Sequence, residues 1–239
     1  MKIKCKSIFV SDTHIGAAYS NPEFFHKFLK TIEAENIFLV GDIFDFWAMK
    51  RKVVWNKHSN NVIQKFLKLS KHSKLFYIIG NHDEAIRRIL PISLFNIEIT
   101  NEYIHTLANG KKLLVIHGDL FDYTITHLKF LAKIGSILYD LIIKINRFIH
   151  WIQTTFHLPY WSLSKFAKEK TKEAISFIRN FEDVMINYKN AKDCDIVLCG
   201  HIHTPKMSKE YINCGDWIEN FSFIIENYDG SLELKYFRN

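Results

Sequence analysis

The chain is poor in the features that would mark a secreted, metal-clustered or membrane-spanning protein. Four cysteines in 239 residues, Cys5, Cys194, Cys199 and Cys214, form no Cys-x-x-Cys pair. A structural zinc cluster built on thiolates is therefore not expected, and a reducing, cytoplasmic compartment is. No charged-then-apolar leader with a cleavage site opens the sequence. The most apolar stretch, Phe130 to Ile149, is interrupted by Lys133, Asp140, Lys144 and Arg147. Each is costly at a bilayer centre, so this stretch is not expected to cross a membrane. Internal repeats and low-complexity tracts are also lacking.

What is present is an ordinary globular composition, 48% hydrophobic and 24% charged. That is enough for one sizeable core, and a single catalytic domain over 1–239 with an embedded subdomain is expected. The net charge of +7 is unevenly placed. Between Thr124 and Asn180 stand nine Lys and Arg against three acids, so this segment carries +6 and the rest of the chain +1.

Five short apolar runs share one design. "KSIFV", "NIFLVGD", "LFYIIGN", "KLLVIHGD" and "DIVLCGH" each end on polar residues, the pattern of buried strands that deliver side chains at their carboxyl ends. Helical spacing lies between them, as in Phe24, Phe25, Phe28, Leu29 and Ile32, and in Val62, Ile63, Phe66, Leu67 and Leu69. Strand alternating with helix predicts an α/β protein whose parallel or mixed sheets are covered by helices, with ligands gathered beyond the strand ends. After Gly200, "FSFIIENYDGSLELKYF" predicts an antiparallel pair joined at Asp229-Gly230. The interval 123–190 has only helical signals, broken near Pro159, and reads as a helical cap inserted between two strands.

The strand ends present, in order, Asp12-x-His14, Gly41-Asp42, Gly80-Asn81-His82-Asp83, His117-Gly118-Asp119 and Gly200-His201-x-His203. Residues two apart in an extended segment face the same way, so Asp12 and His14 can address one ion, and His201 and His203 one site. Taken singly, Asp-x-His is a common turn or cap and Gly-Asn-His-Asp a tight turn. Five such motifs, each capping an apparent strand, point to a metal site. Imidazole, carboxylate and amide donors together suit Mn, Fe, Zn or Co better than an all-oxygen magnesium site.

This series resembles the calcineurin-like metallophosphoesterase superfamily, whose fold is a pair of mixed sheets flanked by helices. The resemblance implies two divalent cations, one held by Asp12, His14, Asp42 and His203 and one by Asp42, Asn81, His117 and His201, with Asp42 shared. It implies that His82 neutralises charge on the phosphoryl group, while Asp83 either orients His82, helps protonate the leaving group, or is an exposed helix cap. "VGDIFDFW", "NGKKLLVIHGDLFD", "LPYWSLS", "FIRNFE", "CGHIH" and "NCGDWIE" narrow the likeness to bacterial UDP-2,3-diacylglucosamine pyrophosphatases of the lipid A pathway. The best-known of these carry arginine after the metal-binding asparagine, where this chain has His82, as the wider superfamily does.

The subgroup resemblance implies an acylated nucleotide-sugar substrate, manganese as the metal, and peripheral contact with the anionic cytoplasmic face of the inner membrane. The basic, apolar interval 123–190 would form the groove or the membrane contact, or simply its own core with a solvated basic face. No obligate protein partner is evident. A soluble nucleotide or cyclic-nucleotide phosphodiesterase or phosphatase is the main alternative. A nuclease is disfavoured because the positive charge coincides with apolar helices and no nucleic-acid module is visible. A non-catalytic scaffold is disfavoured because all seven ligand positions are filled.

Overall fold

Parallel strands buried on both faces need apolar side chains at every position, and the five apolar runs become such strands. In the computed structural model, which describes residues 2–89, 92–94, 96–120, 178 and 181–238, they are β1 (Ile3–Val10), β2 (Ile32–Val40), β3 (Lys74–Ile78), β7 (Lys112–Ile116) and β8 (Ile196–Cys199). The remaining strands are β4 (Ile92–Leu94), β5 (Ile97–Thr100), β6 (Glu102–Thr106), β9 (Lys206–Met207), β10 (Tyr211–Asn213), β11 (Ser222–Glu226) and β12 (Leu232–Tyr236).

They form two mixed sheets, a seven-stranded one in the order β12-β11-β1-β2-β3-β5-β4 and a five-stranded one in the order β6-β7-β8-β10-β9. In the first, β1, β2, β3 and β5 are parallel; in the second, β7, β8 and β10 are. The hairpin β11–β12 extends the first sheet by pairing β11 antiparallel to β1.

Two compact units are distinguished, Met1–Asp119 with Met185–Asn239, and Leu120–Val184. Both sheets belong to the first. The helical cap expected over 123–190, including the apolar stretch Phe130 to Ile149, lies outside the described residues apart from 178 and 181–190, which are helical. Among the described residues no helix is long and apolar enough to cross a membrane.

The alternation of β1, β2 and β3 sorts their side chains into two cores. Phe9, Phe38, Val40, Phe76 and Ile78 face the second sheet and pack with Leu113, Val115, Leu198 and Ile212. Ile8, Val10, Ile37, Leu39, Leu75 and Tyr77 face the other way, with Phe25, Phe28, Val62 and Phe66 from the helices. Register places Phe9 opposite Phe38 and Phe38 opposite Phe76, and the rings stack at 4.6 and 4.5 Å.

Helix α1 (Pro22–Leu29) is entered through Asn21, whose side chain accepts from the Phe24 amide, with Pro22 at its start. The helical spacing carries its apolar face on to Ile32, but the helix ends at Leu29 and Ile32 opens β2 opposite Ile3. Thr31 donates from both its amide and its hydroxyl to the Phe28 carbonyl, closing the last turn early. A short helix, α2 (Phe46–Arg51), is capped by Asp45, and α3 (Lys57–Leu69) by Asn56 and Ser59 in a capping box.

One polar cluster lies between the sheets. Glu226, fully buried, accepts from His105 Nε2 (2.7 Å), from Ser7 Oγ and from the Ala108 amide (2.8 Å). Burial alone would raise its carboxyl pKa, but these hydrogen bonds outweigh burial and hold it below the usual glutamate value. A lowered carboxyl pKa contributes stability above the unfolded value, near pH 4.5, and loses it as pH falls. Glu226→Gln is therefore expected to cost about 1–3 kcal/mol at neutral pH. In denaturant titrations at several pH values, the gap between the two proteins should close below pH ~4.5.

Candidate metal centre

Because β1, β2 and β3 are parallel, their carboxyl ends lie side by side and carry Asp12, Asp42 and Asn81 into one region. The ends of β7 and β8 add His117 and the turn holding His201 and His203. The Gly200 amide donates to the His117 carbonyl (3.1 Å), joining the ends of β7 and β8, and the two sheets are tied where the His201 amide donates to Asp12 Oδ2 (3.0 Å).

The loops are held in an unusual backbone conformation. Asp12 (φ 54°), His14 (46°), Asp42 (54°), His201 (70°) and His203 (54°) all occupy the left-handed region, and they are five of only seven such non-glycine residues among those described. Each costs on the order of 1–3 kcal/mol and persists only where neighbours dictate it. Here the amides of Asp12, His14 and Ile15 bond in turn to the carbonyls of Gly41, Asp42 and Ile43, zipping two loops together past the ends of β1 and β2. Gly41 and Gly80 permit the close approach: a Cβ at Gly41 would fall on the His117 ring, and one at Gly80 on the Asp42 carboxylate.

The donor atoms form linked groups. His14 Nε2 lies 3.8 Å from Asp12 Oδ1 and 3.7 Å from Asp42 Oδ2; His117 Nε2 lies 3.3 Å from Asp42 Oδ2; and His203 Nε2 lies 3.2 Å from Asp12 Oδ1. Asp42, His117 and His201 form a further group, with ligand atoms within 4.8 Å of one another. These separations are long for charge-assisted hydrogen bonds, about 2.7–2.9 Å. They match the spacing, roughly 3–4 Å, of donors that share an ion at about 2.0–2.2 Å. Asp42 Oδ2 belongs to both sides, between His14 and His117.

Four of the six buried side-chain polar atoms without a hydrogen-bond partner among the described residues are Asp12 Oδ1, His14 Nε2, Asn81 Oδ1 and His117 Nε2. Buried polar atoms are rarely left unpaired, and these converge from three different loops. The other ring nitrogens are occupied in a way that turns Nε2 inward: His117 Nδ1 bonds to the Val40 carbonyl (2.9 Å), and His14 Nδ1 to Asp45 (3.1 Å). His203 Nδ1 faces Asp216 at 3.6 Å. Partners of this kind fix the tautomer and aim of a metal-binding imidazole. The donor set fits a pair of divalent cations.

Charge says the same. Burial alone would lower the three imidazoles, yet the carboxylates around them raise His14 to about 9, His117 to about 10 and His203 to about 10. Burial would raise Asp12 and Asp42, but the facing imidazoles hold both well below the usual carboxylate range.

His82 and Asp83 separate. His82 Nδ1 bonds to Asp45 Oδ1 (2.9 Å), its amide donates to Asp42 Oδ1 (2.8 Å), and its ring lies 4.4 Å from that of Trp47. Asp83 neither orients His82 nor caps an exposed helix. It is fully buried and accepts from the Ile43 and Gly80 amides and from Tyr77 Oη, so that it braces the loops from within. Burial, reinforced by the nearby Asp42, raises its carboxyl to about 6.

Three residues with roles here were not singled out by the sequence reading. Asp45 receives His14, His82 and Tyr19 and also caps α2, a position marked only by its place three residues after Asp42. Asp216 accepts from the amides of Ile218, Glu219 and Asn220 while facing His203. Arg87 Nη2 joins Asp119 (2.6 Å) to the Ile79 carbonyl (3.3 Å), linking the loop after β7 to the loop after β3.

Raised imidazoles hold protons that a metal ion must displace, so loading should release protons and tighten as pH rises. Titration calorimetry of metal-free protein with Mn²⁺ in buffers of different ionisation enthalpy should show net proton release near pH 7. Buffer-independent heat would contradict the charge state described.

The chain is 26% identical to a UDP-2,3-diacylglucosamine hydrolase of Histophilus somni over 89% of this chain and 92% of that one. It is 22% identical to a protein of the same name from Vibrio cholerae over 98% of each. Among solved structures, Vacuolar Protein Sorting 29 from Cryptosporidium parvum is similar with a TM-score of 0.44 and 13% identity, over 96% of this chain and 94% of that one. The family model described as calcineurin-like phosphoesterase matches residues 6–205, and the chain belongs to that family of metal-dependent phosphoester hydrolases.

Proposed function

We propose that this chain hydrolyses the pyrophosphate bond of UDP-2,3-diacylglucosamine, releasing UMP and 2,3-diacylglucosamine 1-phosphate for lipid A synthesis. The observation that carries the chemistry is the convergence of unpartnered Asp12, His14, Asn81 and His117 donors beside Asp42. The substrate is favoured by relatives of that name that match over 89–98% of the chain. Asp12, His14, Asp42 and His203 would hold one cation and Asp42, Asn81, His117 and His201 the other, with Mn²⁺ as the native ion ahead of Fe, Zn or Co. The segment 123–190 would act as a cap within one catalytic domain, and the enzyme would work in the cytoplasm against the anionic face of the inner membrane, without an obligate protein partner.

The bound ions would supply hydroxide from water near neutral pH and offset charge on the phosphoryl oxygens. The chain's own residues do the rest. With Nδ1–H donated to Asp45, His82 has Nε2 left to face the phosphoryl group, and as an imidazolium it would donate from there to a non-bridging or departing phosphate oxygen. Asp45 fixes the ring's orientation, and the bond from the His82 amide to Asp42 places the imidazole beside a ligand. His82 and His203, with side chains 23% and 35% exposed, stand on the open side of a site whose Asp12 and His117 are fully enclosed. Substrate would therefore approach over these two rings. Asn81 adds a donor without a further negative charge to repel the phosphate.

Chelation should abolish hydrolysis and Mn²⁺ restore it, and Asp42→Ala should lower kcat by roughly 10³-fold or more with the fold intact by circular dichroism. A fully active Asp42→Ala protein would rule out the assignment. UMP release from UDP-2,3-diacylglucosamine should exceed that from its deacylated counterpart by at least about tenfold, since acyl chains add apolar binding. Equal rates would remove the lipid substrate and leave a soluble nucleotide phosphodiesterase.

A further inference from the structure

The first unit has a second concave site, at the opposite ends of the same strands. A cavity of about 750 Å³ is lined by Lys2, Lys4, Lys30, Lys65, Lys68 and Lys71, with Ile32 and Leu69 among its apolar walls and Tyr228 beside them. It collects the amino ends of β1 and β2, the residue closing α1 and the last turn of α3. Eight residues of β1 separate it from Asp12, roughly 25 Å. It therefore belongs to neither the metal centre nor the path over His82 and His203.

Its charge is not explained by the surrounding protein. Six lysines face only two carboxylates, Glu33 and Glu35, a local net of +4. All of the chain outside 124–180 sums to +1, so the cavity holds an excess that the remainder opposes. Glu33 is engaged by Lys2 and Lys4. Among the described residues, Lys30, Lys65, Lys68 and Lys71 have no carboxylate within ion-pair distance. Two helix carboxyl ends point here, and lysines are common at such ends, but each end amounts to about half a negative charge. Together they leave roughly +3 unopposed. The lysines feel one another: Lys65 is lowered by its partial burial and by Lys68, Lys30 and Lys2, and His26 beside them by burial and by Lys30.

We propose that this cavity binds a soluble anion bearing two or more adjacent phosphates and a planar ring, the chemistry of a nucleoside di- or triphosphate. Adjacent phosphates supply the three or four negative charges that the lysines lack. Tyr228, 61% exposed, offers a ring face for stacking at the margin. The concave shape and the two glutamates set among the lysines favour a small, multiply charged ligand over a flat anionic membrane, which would meet the carboxylates as well.

The test is equilibrium binding of α,β-methylene adenosine diphosphate, whose two phosphorus atoms are joined through carbon and resist cleavage, to the Mn²⁺-loaded full chain. Lys65→Ala/Lys68→Ala and, separately, Lys30→Ala/Lys71→Ala should each lose one binding event seen in the unaltered protein, or weaken it more than tenfold. Both should hydrolyse bis-p-nitrophenyl phosphate at the unaltered rate, which shows that the metal centre and the fold are preserved. Binding should also weaken as salt rises. Identical stoichiometry and affinity in either active double variant would overturn the proposal. So would binding of phosphatidylglycerol vesicles through these lysines with no soluble nucleotide bound, since the cavity would then be a membrane contact.

Discussion

The catalytic unit is organised around buried carboxylates that require positive partners. Asp12, Asp42 and Asp45 are all nearly inaccessible, and an unpaired carboxylate so placed costs several kcal/mol even after relaxation. Little water reaches them, so the fold must meet their charge itself. It does so twice over, through imidazoles raised into the range where they hold protons and through unpartnered Nε2 and carboxylate atoms spaced to share metal ions. The left-handed backbone at Asp12, His14, Asp42, His201 and His203 follows from the same demand, because successive donors must turn inward within two or three residues of a strand end. The zipped amides between the loops after β1 and β2 keep that conformation in place.

Much of this was legible in the linear chain for a physical reason. Strands buried on both faces announce themselves as unbroken apolar runs, and five such runs each ending on ligand-type residues mark a shared site where one alone would be only a turn or cap. The hairpin at Asp229-Gly230 was readable from turn chemistry, and α3 from its spacing. Short β4, β9 and β10, three residues or fewer each, were not, since so few residues carry no period. The end of α1 was misplaced because an apolar residue at helical spacing and one beginning a strand look alike. Only the pairing of Ile32 with Ile3 decides between them.

The roles of Asp45 and Asp83 show where local reading stops. Asp83 adjoins His82 in sequence, which makes it the natural candidate to orient that ring. Adjacent side chains on a tight turn diverge, however, and Asp83 turns inward to three donors, from β3, the loop after it and the loop after β2. The carboxylate that meets His82 comes from 37 residues earlier and reaches it because Asp45 caps α2 beside the same loop. A residue that starts a helix, orients two imidazoles and receives Tyr19 is constrained by four partners at once. Nothing in its neighbours along the chain expresses that constraint.

Strand direction accounts for the unit's electrical polarity. Parallel β1, β2 and β3 send their carboxyl ends, with the acids that follow them, to one pole. The returning helices α1 and α3 deliver their own carboxyl ends to the other, where lysines collect. A helix end accounts for about half a charge, so the topology explains why some lysines stand at that pole but not why six do. An excess of like charge in a concavity is destabilising unless something opposes it, and the carboxylates within reach are too few. The two poles thus pose one electrostatic problem with opposite signs: buried acids that call for cations, and crowded lysines that call for an anion.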